Sequence, residues 1–84
     1  MELPDWWNWD LAFTSHVELR MEEREFTELE LRRMIDLATS ITPGRVPGRF
    51  LVATRFQGTP WSIVLEPDSD ERLVYVVTAF PREP

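Results

Sequence analysis

The chain has 84 residues and a formal net charge of −6, which allows one domain over residues 1–84 and gives no whole-surface positive field for nucleic acid. Cysteine is absent and His16 is the only histidine, which excludes disulfides, thiolate chemistry and a multi-histidine zinc site within one chain. All nine basic residues are arginine, so lysine chemistry is excluded and anion binding falls to guanidinium and backbone N–H groups.

Met1 to Asp10 holds Pro4, Trp6, Trp7 and Trp9, so residues 1–12 form a Trp-rich arm or strand. Two readings of the tryptophans stay open: aromatic lids over a small core, or an exposed patch for a protein partner. Ser15 and Glu18 have capping-box spacing, which predicts a helix from His16 to Glu23 or Arg24. Thr27 and Glu30 repeat that spacing and predict a second helix from Glu28, with both helices inside residues 15–39. In the second, Leu31, Met34, Ile35 and Ala38 fall on one apolar stripe.

Thr42, Pro43, Gly44, Pro47 and Gly48 read as a loop. Three strands follow within residues 49–80: Arg49 to Gln57, Pro60 to Glu66 and Arg72 to Phe80, with turns at Gly58-Thr59 and at Pro67 to Glu71. The expected fold is α+β: two N-terminal helices packed on an antiparallel three- to four-stranded β-meander, the arm supplying the fourth strand. No stretch approaches the length of a membrane span and the N-terminus lacks a signal peptide's basic region, so a cytoplasmic protein is expected, with no membrane partner. Edge strands in so small a sheet leave room for a homodimer.

The charge is uneven. Four Arg stand against ten acids from Met1 to Pro43, five against five thereafter, and Gly44 to Ser62 carries Arg45, Arg49 and Arg55 with no acid. His16, Arg20 and Arg24 recur every four residues, so they project along one side of the first helix, beside the stripe of Val17 and Met21. A histidine transfers protons near neutral pH and arginines stabilise the charge of a phosphorane. RNA carries its own nucleophile, the 2′-hydroxyl, so such a trio needs neither metal nor cofactor. The same residues also suit a plain surface, with the arginines paired to neighbouring glutamates. Glu22 with Glu23, and Asp68 with Asp70, read as solvated or turn carboxylates rather than a metal site.

The string from Ser15 to Arg24, followed by Phe26-Thr27-Glu28, resembles the opening of the small bacterial DUF4258 domain: His, three residues, Arg, three residues, Arg, then a capped second helix. The segment Val74 to Pro81 is similar to that family's last strand with its Thr-Ala-aromatic motif, and Gly48 to Val52 and Trp61 to Leu65 fit its middle strands. The family commonly has Gly after the second Arg, where Glu25 stands here. The resemblance covers Phe13 to Pro81 and implies a RelE/BrnT-like toxin fold, a metal-independent endoribonuclease acting on RNA, and an antitoxin or immunity protein as partner. It also implies His16, Arg20, Arg24 and Thr78 as catalytic residues. Arg55 joins them by its chemistry as a contact to a neighbouring phosphate, Arg49 as a further substrate contact, and Trp61 as a surface for base stacking. The face of Thr78 relative to Tyr75 is set by alternation, which puts the two on opposite sides. A non-catalytic interaction module on the same fold, using the tryptophan arm or the sheet surface, is the alternative.

Overall fold

A computed structural model describes residues 2–82. After a short 3-10 helix at Asp5–Asn8, the elements run β1 (Asp10–Phe13), α1 (Ser15–Glu23), α2 (Glu28–Asp36), β2 (Ser40–Pro43), β3 (Phe50–Phe56), β4 (Thr59–Asp68) and β5 (Leu73–Pro81). The five strands form one mixed sheet in the order β1-β5-β4-β3-β2, with both helices on one face. The α+β class holds, but the expected antiparallel meander of three or four strands does not. β1 precedes the helices and pairs with β5 in parallel, and Ser40–Pro43, whose Thr42 and Pro43 fall in the expected loop, adds an antiparallel edge strand beside β3. Four residues with one aliphatic side chain carry no strand periodicity of their own; the partner strand β3 supplies it.

α1 begins one residue earlier than the spacing predicts. Thr14, not Ser15, is the N-cap: its hydroxyl oxygen accepts from the N–H of Val17 at 3.2 Å. The hydroxyl hydrogen is directed at the β5 carbonyls of Val76 and Val77, at 3.1 and 2.9 Å. One side chain thus caps the helix and fastens its first turn to the sheet. The capping box of α2 is present as expected, with Thr27 and Glu30 each bonded to the other's backbone N–H.

The link between the helices turns on Glu25, whose φ of 57° is left-handed. Its N–H donates to the carbonyl of Glu22 at 3.3 Å and that of Phe26 to the carbonyl of Met21 at 3.0 Å, a Schellman closure that ends α1 directly after Arg24. The turn drives Phe26 into the core, where its ring lies 5.6 Å from Phe56 and 5.5 Å from Trp61.

Register divides the sheet into two faces. Val52, Thr54, Trp61, Ile63, Leu65, Val74, Val76 and Ala79 are buried beneath the helices together with Val17, Leu31, Met34 and Ile35. Thr54, at the centre of this layer, donates its hydroxyl to the carbonyl of Met34, an orphan acceptor at the end of α2. Gln57 and Gly58 both have positive φ and form the two-residue turn between β3 and β4, so Thr59 belongs to the strand rather than to the turn. In the β4–β5 turn, Asp68 Oδ1 accepts from the N–H groups of Asp70 and Glu71, which gives this carboxylate a local structural role.

Candidate functional site

The ladder between β4 and β5 shifts register once: Leu65 faces Val76 and Val64 faces Thr78, leaving Val77 as the extra residue of a bulge. The bulge reverses alternation beyond it. Tyr75 opposes Glu66 and Thr78 opposes Val64, so both lie on the helix-free face, against the expectation that they point to opposite sides. The carbonyl of Val77, freed from the ladder, accepts the Thr14 hydroxyl.

This joint positions α1. β1 pairs with β5 only as far as Val76, and α1 starts where that pairing stops. His16 follows two residues beyond that cap, on a helix that covers one face of the sheet, whereas Thr78 stands on the other face, so the expected grouping of Thr78 with the α1 row is not formed. His16 and Arg24 are exposed and Arg20 is half-buried, with Val17 fully buried beside them. The row His16, Arg20, Arg24 persists through the helix and its C-cap. Glu23 lies on the outer margin of that row, yet among the described residues no carboxylate is within ion-pair distance of His16, Arg20 or Arg24. The two ion pairs present are Arg32 with Glu28 at 3.0 Å, within α2, and Arg49 with Glu66 at 2.9 Å.

The remaining predicted residues are dispersed. Arg55 lies on the helix-free face with Thr78 by its register with Pro60, and Arg49, just before β3, reaches that face through its ion pair with Glu66. Arg55 sits two strands across and four residues along from Thr78, about 16 Å away at ordinary strand spacing, so the two cannot hold one phosphate. Its guanidinium reaches its own turn, donating to the carbonyl of Gly58 at 3.4 Å. Trp61 requires a correction. It is 5% exposed, on the helix side of β4, edge-on to Phe26 and Phe56, so its ring is a core element and no base can stack on it.

Trp6, Trp7 and Trp9 are half-buried and pack against the core, with the Trp6 ring 5.0 Å from Phe50. They are lids rather than an exposed arm.

A hollow on the helix-free face has no counterpart among the expectations drawn from the sequence. The β2–β3 connection and the strands beside it form a hollow of about 430 Å³, open to solvent and lined by Arg45, Val46, Arg49, Leu51, Val64 and Phe80. Gly44 sits where its N–H donates to the Arg49 carbonyl at 2.8 Å and an added Cβ would meet that oxygen at 3.2 Å. Gly48 supplies a φ of 86° for the bend. Alternation in β3 and β5 predicts which residues share the face, but not the hollow they line with the β2–β3 connection.

No helix among the described residues is long and apolar enough to cross a membrane. Comparisons with protein-family models, with curated proteins and with solved structures found no match.

Proposed function

We propose that the protein is a metal-independent endoribonuclease of the RelE/BrnT-like type, with its reactive row on α1. The observation that carries this reading is the un-neutralised line of His16, Arg20 and Arg24 on a helix whose first turn Thr14 anchors to the Val76 and Val77 carbonyls. In the proposed step the RNA 2′-oxygen attacks phosphorus and its proton passes to His16. The P–O5′ bond breaks, the 5′-oxygen takes a proton from solvent, and a 2′,3′-cyclic phosphate remains. Arg20 and Arg24 balance the charge of the phosphorane, while Thr78, on the helix-free face of β5, meets a neighbouring phosphate rather than the reacting one. Arg55 meets a phosphate further along the chain. The reading brings with it a cytoplasmic setting and a protein inhibitor as partner.

Purified protein is expected to cleave RNA in the presence of a chelator and to leave cyclic-phosphate ends. His16→Ala is expected to slow cleavage by about 10²–10⁴-fold, the usual contribution of a general acid–base group. His16 is exposed, so the variant keeps its circular dichroism spectrum and melting temperature. Cleavage by the variant at the parent's rate would remove His16 from the chemistry.

A further inference from the structure

Phe80 lies on the helix-free face, two residues along β5 from Thr78, and remains 37% exposed. It lines the 430 Å³ hollow together with its sheet neighbours Val64 and Leu51 and with Val46 of the β2–β3 connection, which is 48% exposed. Arg45 stands at the rim, and among the described residues it has no carboxylate partner. Arg49 is also at the rim, with its charge met by Glu66. Of the acids of this face, Glu66 and Asp68 lie toward the β4–β5 turn, Glu66 held by Arg49 and Asp68 turned onto backbone N–H groups, and Asp10 lies at the start of β1 opposite Leu73. An apolar slot with an accessible aromatic face and an unpaired guanidinium at its mouth complements a planar, apolar-faced group attached to an anion.

We infer that this hollow is a nucleobase subsite for single-stranded RNA, with Phe80 as the stacking platform and Arg45 as the contact to the adjoining phosphate. The inference rests on the reading of RNA as substrate and names where its base is held. The volume lies within the usual range for small-ligand pockets and suits one base with its ribose. Aromatic stacking with a nearby guanidinium is the usual means of holding an unpaired base. Thr78 and Phe80 are about 6.6 Å apart along the strand, so a nucleotide whose phosphate meets Thr78 has a neighbouring base within reach of Phe80. Phe80 thus takes the stacking role that Trp61, in the core, cannot fill.

The test is fluorescence anisotropy with a labelled single-stranded RNA on the His16→Ala chain, which reads binding without cleavage, beside cleavage kinetics on the parent chain. Phe80→Ala is expected to weaken binding about tenfold, Phe80→Trp to restore it, and Arg45→Ala to weaken it severalfold. RNA carrying one abasic position in the bound register should lose a similar factor, with Phe80→Ala adding no further loss on that RNA. Equal binding by Phe80→Ala and its parent, with cleavage intact, overturns the subsite and leaves the endoribonuclease reading standing. Phe80-dependent binding without cleavage upholds the subsite and removes that reading. If no RNA is bound or cut, both fall. A dimer in sedimentation that Phe80→Ala dissociates, with no RNA bound, assigns the hollow to a second copy of the chain and also overturns the subsite.

Discussion

Glu25→Gly perturbs the joint that ends α1. Glu25 holds a φ of 57°, and the left-handed region costs a residue with a Cβ about 1–2 kcal/mol. Its carboxylate also sits at the negative end of the α1 dipole, an unfavourable placement of about 0.3 kcal/mol at an exposed site. Glycine removes both penalties, while its freer unfolded chain returns about 0.5–1 kcal/mol. The net is a gain of about 1 kcal/mol, or about 4–8 °C in melting temperature for a chain of this size. The assay is thermal and urea unfolding followed by circular dichroism, with the urea midpoint rising at constant slope. Glu25→Ala is the control: it removes the charge but keeps the backbone cost, so it stays within about 0.5 kcal/mol of the parent. If Gly is no more stable than Ala at this position, the Schellman closure is not storing the strain assigned to it.

Two further substitutions test how the helices are fixed to the sheet. Thr14→Ala is expected to cost about 1–2 kcal/mol in urea unfolding, because the cap and the bonds to the Val76 and Val77 carbonyls go together, whereas Ser15→Ala stays within about 0.5 kcal/mol. Equal effects at the two positions would return the cap to Ser15. Thr54→Val keeps the shape but strands the Met34 carbonyl in the core, and is expected to lower stability by about 1–3 kcal/mol; a melting temperature matching the parent's would deny that bond its role.

The legible parts of the fold are those set by local chemistry. Thr27 and Glu30 mark α2 because a capping box is complete within four residues, and Leu31, Met34 and Ile35 mark its buried face because the helix repeat needs no partner. β3, β4 and β5 were visible within two residues at each end through their apolar, β-branched and aromatic content. What failed depends on partners far along the chain. β2 exists through pairing with β3, β1 through parallel pairing with β5, and the choice of Thr14 over Ser15 is made by carbonyls sixty residues away. The bulge at Val77 is of the same kind: no residue type there announces an extra position, yet it decides the face on which Thr78 stands. The row on α1 was legible from spacing. The roles of Trp61 and Phe80 were not, because two aromatics on neighbouring strands look alike until register shows which one the helices cover.

The net charge of −6 is the main physical objection to an RNA-binding surface, and its distribution answers much of it. Ten of the fifteen acids precede Gly44, and seven of those lie between Glu18 and Asp36, on the helices and the joint between them. The helices cover one face of the sheet, and packed layers are separated by about 10 Å. Along the solvent path around the protein, ions screen the charges on the outer side of the helices with a Debye length of about 8 Å at physiological ionic strength, which weakens their effect at the opposite sheet face. What a phosphate on that face meets is local: Arg45 and Arg55 without carboxylate partners among the described residues, Arg49 with Glu66 as a neutral pair, and Asp10 and Asp68 at the far end of the face, opposite Leu73. The repulsion is greatest on approach from the helix side and least across the open sheet, so the acidity orients an incoming polyanion as much as it opposes it. That orientation brings RNA to Phe80 and Thr78 first.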